Sequence, residues 1–298
     1  MKDAKKIISI LLFFWVSISS AQDDLLTQLD TVKSSVKEVE TAAFKALQIC
    51  NMQSTKVPVK GEFYMIISHR FGDLTQGFEN FFGLDNALTK IGGIYGATNW
   101  LSFGFSRHTY NKTYEGTVKY KLADQKIDGF PFSIVGYNTV DVNSALKTSL
   151  YPELKFTNRL AYSSQLLISR KFSESFSFQV APIYIHKNFY DGELDQEDLY
   201  LIGSGARYKL SKRLSVNLEY AARLNVDEKI SKSPYQNPLT VGLDIETGGH
   251  VFQLHFTNSI GMNEHTFIHE TFGSWGKGDI RWGFNISRIF NIGRKKKA

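Results

Sequence analysis

The sequence predicts an all-β protein: a closed antiparallel transmembrane β-barrel of about 12 strands, with an N-terminal periplasmic helical segment. Three observations carry this. From Gly61 onward apolar and polar residues alternate with period two. The alternating spans are long. The connections between them alternate between long and short.

The alternation is clearest in the last third. Leu214, Val216, Leu218 and Tyr220 interleave with Ser215, Asn217, Glu219 and Ala221. Leu239 to Glu246, Phe252 to Thr257 and Ile280 to Ser287 repeat the pattern. A soluble sandwich turns such apolar faces inward, whereas a membrane barrel turns them to lipid, and alternation alone does not separate the two. Length does. The spans run 61–71, 87–97, 101–110, 114–123, 130–144, 156–172, 175–189, 198–210, 214–224, 238–247, 250–262 and 279–292. Most meet the about 9–11 residues of a tilted membrane strand, while soluble strands average about 5–6. Connections 72–86, 145–155, 190–197, 225–237 and 263–278 are long; Thr98 to Trp100, Ser173-Glu174, Ser211 to Arg213 and Gly248-Gly249 are short. Long loops on one rim and tight turns on the other are the outer-membrane pattern, with both termini in the periplasm.

The elements follow in chain order. Residues 1–21 read as a cleavable signal peptide: three lysines by Lys6, an apolar Ile7 to Val16, then Ser19-Ser20-Ala21. Residues 22–60 form a helical arm or plug. Leu25, Leu29, Val32, Val36 and Val39 recur at helical spacing after Asp23 and Asp24, although a loose linker fits the same residues, and 43–52 admits a short extra strand. Residues 61–292 are the barrel and 293–298 a basic tail. Aromatics near strand ends, among them Trp100, Phe172, Phe176, Tyr208 and Phe290, suit interfacial girdles.

Charge excludes little but is informative. Removing residues 1–21 takes away three lysines and one aspartate, so +6 becomes +4, and Arg294 to Lys297 account for the remainder. The body is neutral overall and no nucleic-acid partner is expected. The expected partners are outer-membrane lipid and a periplasmic or membrane protein met through residues 23–49. The lone Cys50 excludes an internal disulfide framework.

A family resemblance rests on Ile67-Ser68-His69-Arg70-Phe71-Gly72-Asp73, Phe81-Phe82-Gly83-Leu84-Asp85, Lys112-Thr113-Tyr114-Glu115-Gly116, His250 to Ser259 and Gly283 to Arg288. Over roughly residues 43–292 the chain resembles an uncharacterised outer-membrane β-barrel family of Bacteroidota, a domain of unknown function. The resemblance implies location and fold, and no activity.

Candidate sites are few. By alternation Arg159, Glu219, Arg223, Asp244, Glu246, Gln253, His255 and Arg281 face the lumen, where charge is hydrated or paired, whereas on the lipid face a midplane Arg or Lys costs roughly 2–4 kcal/mol. His69, Arg70 and Asp73 form an expected mouth cluster that locks the first long loop, with Phe78, Phe81 and Phe82 giving that loop apolar contacts. His265 and His269 stand at metal-ligand spacing. Thr266 sits where a zinc protease needs Glu, and exposed loop histidines explain the pair better. Ser163, Ser164, Ser204 and Ser259 lie outside any G-x-S-x-G elbow, so no enzyme, catalytic residue, metal or cofactor is expected. Two functions remain: a passive channel or transporter for small polar solutes with an open lumen, or a structural or partner-binding barrel with a filled one. A membrane-embedded lipid hydrolase is a distant third.

Overall fold

A computed structural model describes residues 42–225, 233–247 and 249–292. The expected signal peptide, the expected helix up to residue 41 and the basic tail lie outside these residues.

Twelve strands follow one another around a closed barrel: β1 (Glu62–Asp73), β2 (Ala87–Gly96), β3 (Leu101–His108), β4 (Thr113–Ala123), β5 (Ser133–Asn143), β6 (Leu160–Lys171), β7 (Phe176–Lys187), β8 (Asp198–Lys209), β9 (Leu214–Arg223), β10 (Leu239–Thr247), β11 (His250–Thr257) and β12 (Arg281–Asn291). Every neighbour pair is antiparallel, and β12 returns to β1, with Glu62 opposite Asn291 and Ser68 opposite Asn285. Closure removes the sheet edges, so every strand's peptide groups find a partner within the wall. A bulge between Arg70 and Asp73 keeps both on the inner face of β1.

Burial is inverted relative to a soluble sandwich. The buried face of the wall carries Ser102, Lys119, Asp141, Gln179 and Ser215, and the exposed face carries Ile91, Phe103, Phe105, Leu218 and Phe256. Phe105 is 61% exposed while Lys119 is fully buried. Such a surface suits hydrocarbon as solvent and not water. The start of β1 and the end of β12 share one rim, here the terminal rim, with the tight turns at 97–100, 172–175, 210–213 and 248–249 and the longer 124–132 connection; the other, the loop rim, carries the remaining long connections and the short one at 109–112.

The lumen is filled, as the structural or partner-binding alternative expects, and holds no open bore among the described residues. Two chain segments enter it from opposite rims. From the terminal rim, residues 42–57 form a plug. From the loop rim, the segment between β11 and β12 folds inward and buries Asn263 to His269 around a single π-helical turn, His265–His269. The side of the lumen formed by β5 to β9 carries an apolar patch among its polar groups: Val135, Leu167, Ile183, Ile185, Leu199 and Leu201 pack with Met52 of the plug and Phe267 and Ile268 of the loop. Over that patch the strands are apolar on both faces, one for lipid and one for the inserts.

The plug is not helical where it is described. Residues 42–46 run as bends, and Gln48 and Gln53 form one isolated antiparallel bridge, so no thirteenth strand disturbs the even count. Strand β11 stops at Thr257 and not near 262, because Asn258 turns the chain into the lumen and donates to the carbonyls of Asn237 and Gly273.

Candidate functional site: the occupied lumen

The tip of the plug is a hairpin with a two-residue turn, Cys50-Asn51. Ile49 N donates to Met52 O at 2.7 Å, closing the turn. This points three consecutive N–H groups at the wall, where the Glu219 carboxylate accepts from Cys50 at 3.1 Å, Asn51 at 2.9 Å and Met52 at 3.0 Å. A carboxylate receiving three peptide N–H groups in a dry site is a strong, charge-assisted arrangement.

Other wall side chains take the plug's carbonyls. Lys119 Nζ donates to Leu47 O at 3.1 Å, Asn217 to Ile49 O at 3.1 Å, Asn285 to Cys50 O at 2.6 Å and Gln179 to Gln53 O at 2.7 Å. Gln253 donates to the carbonyls of Gln48 and Ile49 and to Asp244. The wall also makes room. Gly203, Gly205 and Gly242 face inward, and a methyl group added to them would run into Met52, Ile49 and Cys50 respectively.

The loop insert is held differently. His265 Nδ1 lies 2.7 Å from Asp141 Oδ2. Burial works against the imidazolium, but the Asp141 charge and hydrogen bond outweigh it and the pKa is raised. Glu264 accepts from Gln165 at 2.6 Å and from Gln53 of the plug at 3.2 Å; burial first, then the neighbouring Glu115, push its pKa up to about 8. Asn263 Oδ1 meets His108 Nδ1 at 3.1 Å, and Lys187 bridges Asp195 and Glu270. Arg70, fully buried, joins the two inserts: its guanidinium donates to Asn51 Oδ1 of the plug and to Ser259 O of the loop.

The expected lumen residues divide into three groups. Glu219, Gln253 and Asp244 line the lumen beside the plug, and His255 is buried there with both ring nitrogens unpartnered. Glu246 faces inward at the terminal rim, pairing with Arg207 at 2.9 Å and Lys45 at 3.4 Å. Arg223 and Arg281 serve the loop insert, donating to His269 O and Asn258 O. Arg159 is a correction: it lies in the turn Thr157–Arg159 before β6 and donates to the carbonyls of Asn143 and Leu146 at the loop rim, off the lumen wall.

The mouth cluster does not assemble. His69 faces outward, its ring 4.9 Å from Phe284 and its Nδ1 3.1 Å from Thr89 Oγ1, because residues on either side of Arg70 alternate across the wall. Asp73 caps the first loop through Thr75 N at 2.9 Å and pairs with Arg281 at 3.4 Å. Phe78, Phe81 and Phe82 remain exposed, and they supply only a mutual edge contact between Phe78 and Phe82.

The histidine pair is a second correction. His265 and His269 are buried and not surface residues. His269 Nε2 is 3.1 Å from Asp195 Oδ1 but off the hydrogen-bond line, and burial with Lys187 and Arg223 nearby depresses its pKa to about 2. Among the described residues no group of three His, Cys, Asp or Glu side chains is placed to hold a metal. Nor is any of the four candidate serines hydrogen-bonded to a histidine among those residues. Ser163 shares a bond with Thr139, Ser164 accepts from Asn138, Ser204 donates to Tyr220 O and Ser259 donates to Phe267 O.

Beside the plug tip little space remains. A cavity of about 50 Å³ lies between the plug and β1 to β5, beside Ser68, Gly92 and the Lys90–Glu115 ion pair.

No curated protein sequence matches the chain. Among solved structures it is similar to the NanC porin, at 9% identity and a TM-score of 0.48 over 76% of this chain and 98% of that one. It is similar to the KdgM porin at 10% identity and 0.44 over 78% and 99%, and to the outer membrane protein Omp33 of Acinetobacter baumannii at 10% identity and 0.41 over 78% and 100%. Agreement this loose carries no functional argument. A family model described as a membrane-bound β-barrel domain, DUF5777, matches residues 44–290, and the chain belongs to that family.

Proposed function

We propose that the protein is an outer-membrane channel for small polar solutes, held closed by the plug at its terminal rim and by the inward loop at the other. The observation that supports this is how the lumen is filled. The wall carries small or glycine residues opposite the plug, and its polar side chains end on the plug's peptide groups. Removing the plug would leave a bore lined by Glu219, Asn217, Gln253, Lys119 and Asn285. Those groups exchange plug contacts for water at modest net cost, since each protein hydrogen bond is worth only about 0.5–1.5 kcal/mol net. The signal-like order of residues 1–21 in the sequence and the mostly sorted loops support export and an outer-membrane site. A periplasmic partner meeting the chain ahead of the plug could then draw on it, while most of residues 43–49 are buried in this closed state.

The apolar packing of Met52, Phe267 and Ile268 against β5 to β9 favours a second reading, a permanently filled barrel that presents its loops or its N-terminal segment to a partner. Planar-bilayer recording separates the two. The closed-channel reading expects rare openings from the intact chain and frequent ones from a chain lacking residues 42–57. Silence from both, with the barrel shown to be folded, favours the filled barrel.

A further inference from the structure

A cavity of about 310 Å³ lies at the terminal rim between the plug, the turn joining β8 to β9, strands β10 to β12 and β1. Its charged lining is mostly cationic, with His250, Thr247 and Ser287 beside it. Lys45 and Lys56 come from the plug, and Lys212 and Arg213 from the turn between β8 and β9. Glu246 is the one carboxylate lining it, and that group is already engaged by Arg207 and Lys45. Lys56 Nζ donates to the Lys45 carbonyl at 2.5 Å, and Glu62 is the other acid within its electrostatic reach. Lys212 and Arg213 have no ion-pair partner among the described residues. Tyr64, Val251 and Ile289 give the cavity an apolar side.

Two lysines of one segment thus face two cations of another across a shared space. Like charges so placed repel unless an anion sits between them, and the repulsion would push the plug outward. A tetrahedral oxyanion offers several acceptors to such a ring of ammonium and guanidinium donors.

We propose that this cavity binds a phosphate group, either inorganic phosphate or the headgroup of an anionic phospholipid, bridging Lys45 and Lys56 of the plug to Lys212 and Arg213 of the wall. The site stands on its own geometry; its consequence, that the bound anion keeps the plug seated, rests on the closed-channel reading.

The buried thiol of Cys50, the sole cysteine, sits at the plug tip and reports plug exit through maleimide labelling. The full chain is placed in phosphatidylcholine nanodiscs, alone, with phosphatidylglycerol, or with inorganic phosphate against chloride at matched ionic strength. Native mass spectrometry should find one phosphatidylglycerol or phosphate retained. Labelling should slow by about fivefold or more when the anion is in excess over its Kd. Both effects should vanish in K212Q/R213Q and, from the plug side, in K45Q/K56Q, each first shown to be a folded barrel. Retention of the lipid but not of phosphate identifies a headgroup site, and retention of both identifies phosphate itself. Absence of any retained anion in the intact chain, or equal retention in both double variants, overturns the proposal. A retained anion with no Cys50 labelling under any condition leaves the site standing and removes the closed-channel reading.

Discussion

The plug and the inward loop occupy the same lumen, yet the wall grips them by different parts. Residues 47–53 are held largely by their peptide groups: six strand side chains, Glu219, Lys119, Gln179, Asn217, Gln253 and Asn285, end on plug N–H or C=O groups. Residues 263–270 are held largely by their own ionisable side chains, in His265–Asp141, Glu264–Gln165 and Glu270–Lys187. A segment held by its backbone tolerates changes in its own side chains and fails when the wall changes. A segment held by charges fails when its own residues change or when pH does.

The sharpest way to break this contrast is Glu219→Ala. It leaves three buried N–H groups without an acceptor, at about 1–3 kcal/mol each. Plug exit, read as Cys50 labelling or as opening frequency, should rise by about a hundredfold or more, while the loop's protection from protease should fall far less, only through the contacts of Arg70 and Gln53 that it shares with the plug. Next in size is Gly205→Val, which places side-chain atoms where Ile49 now sits. Overpacking of about 1–3 kcal/mol should raise plug exit by roughly tenfold, with the lipid-facing wall unaffected.

pH tests the loop. His265 has a raised pKa, so its contribution is fully present below its unfolded value of about 6.5 and is lost as pH rises through the folded value. Glu264, raised to about 8, has the same sign: its favourable protonated form is lost between about 4.3 and 8. Protease sensitivity of residues 258–280 should therefore increase from pH 6 to pH 9, and Glu264→Gln should flatten much of the rise. A flat profile in the unaltered chain would sink the charge-held description. The smallest effect is expected from Gln48→Ala, whose side chain bonds only to Asn51 O within the plug. A change in plug exit of more than about threefold, beyond the few tenths of a kcal/mol usual for such a site, would show that plug side chains matter more than the backbone grip implies.

The barrel itself was legible because its physics is local. Period-two alternation and loop length placed all twelve strands, mostly within two or three residues, since each strand must meet lipid on one face. The inserts were not legible. Glu219 stands 168 residues from Asn51, and nothing near either position marks the pair. His265 and His269 looked exposed because a long polar loop ordinarily is, and only the apolar Phe267-Ile268 between them hinted at burial. A further signal lay in β7 and β8. Ile183-Tyr184-Ile185 and Leu199-Tyr200-Leu201-Ile202 are apolar on both faces, which a water-filled lumen does not require. His69 was misplaced because its charge drew it into a cluster that its parity on β1 forbids.

The Arg70 guanidinium touches both inserts, and Gln53 with Glu264 makes a second bridge between them. Two bodies that share contacts have a coupling free energy, and coupling is reciprocal. Whatever unseats the loop at its rim should weaken the plug by the same factor by which drawing the plug at the other rim weakens the loop. The lumen contents are thus a relay, and a change at one mouth of the barrel is felt at the other through its middle.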